Sequence, residues 1–533
     1  MNGVSDTSLC DLPYAARDFR ERNVLSGIGD SSIYISGDSF PDMVELHRLE
    51  SYWQLFHPLL PILHSPSFSF DSAPPLLRSA MIAVGAQYSS EWQDKTDAAA
   101  LHAQCLKCLQ KVRRAGSQQL PYRIADLQAI FLIEAYSIFK SRRPPFHLSE
   151  YFGAMYSALA HDDDALTLSI NLPTRRQRWP SNASGNMSAV QFQATEKQRL
   201  LLACYLLDYQ HSSLFGRAPL EQSSELSRTE LPFPQTTPIW DATPGDDNRC
   251  IIDAWGVQHA IVYETISEAI DGATMMQVPP SHLHDAFQSL IMMAWSCKDD
   301  VPAIDVVGYP DPDHLLQTVQ DSPSIKVAYH VSMLTRNTPV RDLLAVSGES
   351  WVMAEKLTSS DLYIQSQIAV RSWAGQTTGT AYSAYPRMSS SNEVAVNRAV
   401  YHALELLRLF SDSNDAMTGL LFDEWSIYLA SLVLWARSYA TSTNVQSSRR
   451  VSVSIPQPSE PRTPHIDQAM GAILLSATHE DSAWMSDKST GVVLQWTKQR
   501  LERVGPPHNC GVTNGALDVL GKLVCRGAEE GWF

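Results

Sequence analysis

The sequence predicts an all-α fold, a large irregular helical bundle with a short C-terminal helical appendage. Three observations carry that expectation. Apolar residues recur every three to four positions along most of the chain, the spacing that places them on one helix face. Glycine is scarce, 25 of 533 residues, below the usual share of about 7%, as expected where long helices leave few tight turns. Period-two alternation is rare, and the best strand candidate, residues 31–35, is very short.

The elements follow in order. Over 41–56, Met43, Leu46, Leu49 and Trp53 share a face, and Pro41 suits a first helical turn. Segments 76–88, 98–114, 124–139, 150–160, 196–215, 250–270 and 420–440 carry the same periodicity. From Asn392, a plausible N-cap, Val396, Val400, Leu404 and Leu407 line up at helical spacing. Three short helices are expected near the C-terminus, over 466–477, 487–504 and 515–525.

Polar and Pro-rich stretches divide this body. Residues 172–190 read as a loop, and 231–248, with Pro232, Pro234, Pro238 and Pro244, cannot form a continuous helix. The Ser/Pro-rich stretch 441–465 reads as a disordered linker. The expected organisation is a polar, partly disordered segment 1–40, a helical domain 41–440, the linker 441–465 and a C-terminal helical segment 466–533. No internal repeat is visible.

Composition narrows the function. Hydrophobic residues make up 44% and charged residues 18%, a globular balance. With 41 Lys+Arg against 57 Asp+Glu the net charge is −16, so the average field repels phosphate and the chain as a whole is not a basic DNA-gripping protein. Eight cysteines are too sparse for a disulfide framework, and most lie in apolar stretches, as Cys204 does. No signal peptide is visible at the amino terminus, and the longest apolar runs, near 200–207 and 427–435, fall short of the roughly 20 residues of a membrane span. A protein of the cytosol or nucleus with no membrane partner is expected.

Motifs for catalysis are missing. There is no Walker loop, no G-x-S-x-G elbow and no H-E-x-x-H, and Gly27-Ile28-Gly29 lacks a third glycine. The expectation is not an enzyme, with catalytic, metal and cofactor-binding residues all none. Cys105 and Cys108 form a C-x-x-C inside a helical run, without partners to complete a zinc set, so they read as buried structural cysteines. Asp162, Asp163 and Asp164 read as a solvated turn, since one acidic triplet does not make a Ca²⁺ loop. Arg175, Arg176 and Arg178 form one basic island and Arg449-Arg450 another. Ser452 and Thr463, within the linker, have the local sequence of basophilic and proline-directed kinase sites, and are candidate phosphorylation sites.

The stretch from Tyr52 to Phe68 is specific. Trp53 and Phe56 end an amphipathic helix, Pro58 and Pro61 are expected to hold the chain extended, and Leu59, Ile62, Leu63 and Phe68 to pack across the bundle. Phe56, His57, Pro58, Pro61, Ile62, His64, Pro66 and Phe68 together resemble the opening signature of the fungal-specific transcription factor domain, the middle homology region of fungal zinc-finger regulators. The helix from Leu76 to Ala86 resembles that family's next one, its small residues permitting close helix approach. Arg199, Asp208, Ser212, Gly216 and Arg217 fit a third family segment. There Leu201-Leu202 replace the usual Trp pair, and one residue separates Arg217 from Pro219. The Asp-x-Gln-His-x-x-Leu-Phe-Gly-Arg form, followed by Glu230 to Pro234 and Ile239-Trp240, is most similar to the branch carrying two-Cys two-His fingers.

The resemblance spans about residues 43–440. It implies a nuclear regulator of RNA polymerase II transcription, controlling a metabolic or secondary-metabolite gene cluster, with other transcription factors or the transcription machinery as partners. A small-molecule effector and a homodimer are further expectations. An interaction scaffold that binds related regulators is the rival reading, and an all-helical enzyme a remote one. The motif residues themselves read as structural: Asp208 and Arg217, nine apart, form an ion pair or a helix cap, and Trp92, Trp240, Trp255 and Trp425 are core anchors. One departure from the family stands out. Only Cys10 precedes the domain, so no zinc module can form there, and no cofactor is expected in this chain, zinc entering only through an upstream finger. Promoter DNA would then be reached indirectly or through a finger missing from this sequence.

Overall fold

The computed structural model describes residues 43–114, 123–142, 144–166, 189–226, 231–241, 264–275, 284–297, 322–348, 360–374, 389–412, 418–448, 466–478, 483–503 and 510–529. Within these, every named element is helical, and the extended pairing is limited to one isolated antiparallel bridge between Pro232 and Thr265. The fold is the expected all-α bundle. Residues 31–35, Pro41 and Trp255 lie outside the described residues, as do Ser452 and Thr463.

Helix α1 (Met43–Ser51) runs directly into a π-helical turn, Tyr52–Phe56, where the His57 N–H donates to Tyr52 O at 2.9 Å. Helix α2 (Pro75–Gly85) crosses it closely: a Cβ added to Gly85 would lie 1.9 Å from Arg48 O. On the other side Arg48 is pinned by Asp94 at 2.6 Å and Asp97 at 2.8 Å, both on α3 (Trp92–Arg114). Helix α4 (Ile124–Lys140) is buried along nearly its whole length. Its Glu134 carboxylate accepts the Ser149 N–H at 2.8 Å and so holds the start of α5 (Glu150–Ala160). Asp162 accepts the Asp164 N–H at 2.9 Å and opens the short α6 (Asp163–Leu166), while Lys197 bridges Asp162 and Asp164. The acidic triplet is therefore a helix start closed by a lysine, not a bare solvated turn.

Helix α7 (Ala189–Phe215) packs on α4, α5 and α6. The short α8 (Glu221–Leu226) packs on it, the short α9 (Thr237–Trp240) and α10 (Ile266–Met275) follow, the latter on α11 (Ala286–Ser296), and α11, α12 (Pro323–Arg336) and α13 (Val340–Ser347) pack on α7. Helix α14 (Ser360–Trp373) packs on α13 and on α15 (Ser389–Asp412), which lies between α12 and α16 (Asp423–Ser448). Asn392 sits inside α15 rather than capping it, because the helix begins three residues earlier. Helix α16 continues through 441–448, the first part of the stretch read as linker. The Ser/Thr/Asn-rich sequence there lacks the prolines that begin at Pro456 and so does not break the helix.

Three more helices, α17 (Ile466–Thr478), α18 (Ala483–Arg503) and α19 (Gly511–Glu529), complete the described residues. They pack on the bundle. Helix α18 lies along α16, α19 touches both α16 and α4, and one buried apolar cluster runs from Leu49 to Leu523. Cys510 Sγ donates to Phe139 O at 3.2 Å and Gly511 N–H to Ser141 O at 2.9 Å, tying the last helix to the end of α4. Among the tryptophans, Trp240 and Trp425 are buried. Trp92, 58% exposed, is not an anchor: as the first residue of α3 it sits where the helix enters from solvent.

Charged groups also lie in this core. Lys140 pairs with Glu424 at 2.5 Å. Burial works against both charges, yet each partner outweighs it, holding the lysine above and the glutamate below its ordinary pKa. Next to them burial pushes Asp423 up to about 7, against the opposing hydrogen bond from Thr418 and aided by the charge of Glu424. A carboxyl raised above its unfolded value of about 3.9 favours the folded state at low pH, and that contribution is lost as pH rises through 7. Asp423→Asn should therefore gain stability relative to the unsubstituted protein as pH rises from 5 to about 8, measured by urea unfolding at several pH values. A difference independent of pH would contradict this.

Candidate functional site: a buried polar hub around Arg199

The signature segment, α7, α9 and α11 meet at one side chain. Arg199 is fully buried in α7, where an arginine is almost never found unless partnered. Its Nη2 donates to Gln235 O at 2.6 Å, and its guanidinium lies 5.0 Å from the Trp240 ring and 5.8 Å from Phe287. Burial lowers its pKa to about 10, and the nearby Asp285 and Asp241 carboxylates offset that, so the group stays charged at neutral pH.

Segment 231–241 is stitched into place by its neighbours. Phe233 N–H donates to Glu264 O at 2.9 Å, and Ile266 N–H to Leu231 O at 3.0 Å. Asp285 caps α11 in a capping box with Gln288, and its second oxygen accepts the Thr237 N–H at 2.5 Å. Gln288 Nε2 reaches Pro234 O at 2.8 Å. Prolines that forbid a long helix here instead leave backbone carbonyls free for Arg199 and Gln288.

The signature arrives from the other side. His57 is buried with Nε2 3.5 Å from Asp241, and His64 Nδ1 bonds Ser67 Oγ at 2.8 Å. The His64 ring packs edge-on against Phe192 and Trp240, and Trp240 Nε1 donates to Leu63 O at 3.3 Å. Burial lowers the His64 pKa, with Asp241 opposing, so the ring favours the neutral form. Phe56, Pro61 and Ile62 are buried, Phe68 packs on Trp53, and Pro58 and Pro66 are exposed. Pro58 lies in a hydrogen-bonded turn rather than extended chain, since Leu59 N–H and Leu60 N–H both bond Phe56 O at 3.1 Å.

The remaining motif residues form a second cluster at the C-terminal end of α7. Asp208 accepts from the Leu220 N–H at 3.0 Å and from Ser223 Oγ, which also meets the Tyr156 hydroxyl at 2.9 Å. The aspartate thus caps α8, and burial raises its pKa to about 6 against the Ser223 and Leu220 bonds. Ser212 Oγ donates to Tyr209 O and its carbonyl accepts the Arg217 N–H at 2.8 Å. Gly216 makes that turn at φ 61°, and a Cβ there would lie 2.5 Å from Arg341 N at the start of α13. Arg217 stacks 3.7 Å over Phe146.

Chemically this is a scaffold of buried polar groups that are capped only in part: Arg199 Nε and Nη1, both ring nitrogens of His57, Asp241 Oδ1 and Asp208 Oδ1 are buried without a hydrogen-bond partner. Among the described residues no set of three or more His, Cys, Asp and Glu could hold a metal, and Cys105 and Cys108 are both buried on α3. Two cavities of about 20 Å³ flank Gln210, Leu290 and Phe422 and are lined mainly by apolar side chains, each with room for about one water. Among the described residues no helix is long and apolar enough to cross a membrane. Sequence reasoning missed Asp241, Asp285 and Gln288. Asp285-x-x-Gln288 ahead of an apolar run is a capping-box signature and marked the last two.

Fold and site together define an all-helical domain in which most motif residues are buried or half-buried and tie helices together. Residues 49–252 match the family described as the fungal specific transcription factor domain, which shows the resemblance for that stretch. A zinc finger protein, zas1 of Schizosaccharomyces pombe, is 25% identical over 205 residues, covering 36% of this chain and 21% of that protein. The chain thus matches about a fifth of that relative's length. No solved structure matches.

Proposed function

We propose that the protein is a fungal transcriptional regulator of RNA polymerase II genes that acts in the nucleus. The supporting observation is that all three motif segments lie within the family match over 49–252, and that Arg199 of the third and His64 of the first both pack on Trp240. In this reading the helical body is regulatory and has no catalytic role. Promoter DNA is reached through partner proteins or through a zinc finger outside this sequence, and a small effector or a partner gates activity. Ser452 and Thr463 are proposed phosphorylation sites, and a metabolic or secondary-metabolite gene cluster is the proposed target, by analogy with such regulators.

A co-regulator that binds finger-bearing factors is the second reading, favoured by the net charge of −16, which suits a basic protein partner better than DNA. One experiment tests both. The chain is tethered to a heterologous DNA-binding module upstream of a reporter, and transcripts are profiled after deletion of the gene. The regulator reading expects altered reporter output when tethered and a coherent set of altered transcripts. Altered transcripts without a tethered effect favour the co-regulator. No change in either assay would sink both.

A further inference from the structure

Segment 231–241 sits in its surroundings as a bound peptide sits in a groove. Along 234–237 its backbone is met by side chains of other helices rather than by a ladder. Gln288 Nε2 donates to Pro234 O at 2.8 Å, Arg199 Nη2 to Gln235 O at 2.6 Å, and the Thr237 N–H to Asp285 at 2.5 Å. Pro234 has no N–H, so this stretch offers acceptors to a groove that presents donors. At the far end the Trp240 indole is 2% exposed, stacked on Phe192 at 5.2 Å and bonded to Leu63 O at 3.3 Å. Backbone bonds that any extended chain makes, plus one deep aromatic pocket, are the two parts of a peptide-recognition groove. Its walls here are α7, the start of α11 and the Leu63–His64 stretch.

The resident segment leaves this groove incompletely paired. Among the described residues Arg199, fully buried, makes one hydrogen bond, to Gln235 O, and its Nε and Nη1 have no partner. Asp285 gives one oxygen to the Gln288 N–H and the other to the Thr237 N–H, and Asp241 Oδ2 faces His57 Nε2 at 3.5 Å. Among the described residues no carboxylate is therefore hydrogen-bonded to the guanidinium, although a buried charge is normally paired. Thr237 Oγ1 and Asp241 Oδ1, both on the segment itself, are buried without a partner as well. Such unpaired groups penalise the fit, so an occupant bringing a carboxylate to Arg199 would be held better. We propose that 234–241 is a resident pseudo-ligand, and that a partner protein docks by exchanging an acidic, proline-containing peptide with a tryptophan into its groove. The bonds from Phe233 N–H to Glu264 O and from Ile266 N–H to Leu231 O lie outside the exchange and tether the displaced stretch. Asp241 departs with that stretch, which removes an uncommitted negative charge from beside the incoming one. Peptide exchange holds or fails independently of the transcriptional reading.

The test uses the full chain and fluorescein-labelled synthetic peptides, with binding read by anisotropy. A plain copy of 231–241 competes with a tethered resident, so it should bind the unsubstituted protein weakly. Trp240→Ala in the protein removes the resident's anchor, and the plain copy should then bind at least about tenfold more tightly. Making Trp240→Ala in the peptide instead should abolish that binding, and adding Gln288→Met to the Trp240→Ala protein should weaken it. Copies carrying Gln235→Glu or Thr236→Asp test the carboxylate. One of them should bind the unsubstituted protein at least about fivefold more tightly than the plain copy. The same carboxylate added ahead of Leu231 should give no gain. Circular dichroism checks each fold. Where Trp240→Ala is unfolded, Trp240→Phe takes its place, and the plain copy should raise its melting temperature. The proposal is overturned if loosening the resident does not improve binding of the copy, if binding ignores the peptide's tryptophan or Gln288, or if neither acidic copy outbinds the plain one.

Discussion

Lys140→Met is expected to destabilise the protein by about 3–5 kcal/mol, because removing one member of a buried pair strands the other charge. The lysine and Glu424 side chains are 9% and 12% exposed and sit 2.5 Å apart. Without the lysine, burial penalises the charged form of Glu424, whose pKa the lysine holds down. The double variant Lys140→Met/Glu424→Leu should recover much of the loss, since replacing both partners removes the stranded charge. Urea denaturation of the two singles and the double closes the cycle; additive losses would mean the two groups act independently.

Gly85→Ala should be nearly as damaging for a steric reason. A Cβ at that position would stand 1.9 Å from Arg48 O in α1 and 3.1 Å from Tyr52 N at the start of the π-helical turn, both backbone atoms. Helix α1 is not free to shift, because the Arg48 side chain is held by Asp94 and Asp97 on α3. Overpacking of this kind costs about 3 kcal/mol at the upper end of its usual range. Gly153→Ala in α5 is the matched control: nothing lies within 4 Å of the added carbon, so it should be neutral or stabilising by about 0.5–1 kcal/mol. Midpoints of urea unfolding separate the two, and an equal effect at both positions would defeat the close-approach argument.

What was legible in the sequence had local causes. The Tyr52–Phe68 signature, the small residues at Gly85-Ala86 and the periodic stretches all express themselves within one or two turns of chain, and the all-α fold follows from them. Helices α11 to α14 did not stand out. Ala286–Ser296 is apolar on every side because every side is buried, so it shows no contrast between faces. Trp92 failed as an anchor because residue type says nothing about which end of a helix meets solvent. The Arg199 hub was half visible: the arginine could be named from its motif, but Asp285 and Gln235 reach it only through folding of segments tens of residues away. No local signal in Asp208 distinguishes a cap of α8 from a pair with Arg217, since both need the chain to turn at Gly216.

The tie between the last helix and α4 has a consequence for how the protein is made. Cys510 and Phe139 are 371 residues apart, and Tyr88 donates to Gly419 O across 331. At about 5–20 residues per second a ribosome needs roughly 20–70 s to deliver the distal partner after the proximal one has emerged. Throughout that interval the end of α4 and the signature turn lack the share of their native cover that the C-terminal half supplies, with only earlier partners such as Phe215 and Trp240 in place. Nascent chains should therefore depend on chaperone holding until synthesis is nearly complete, and a transcript stalled before the codon for Cys510 should yield an aggregation-prone product rather than a smaller working domain.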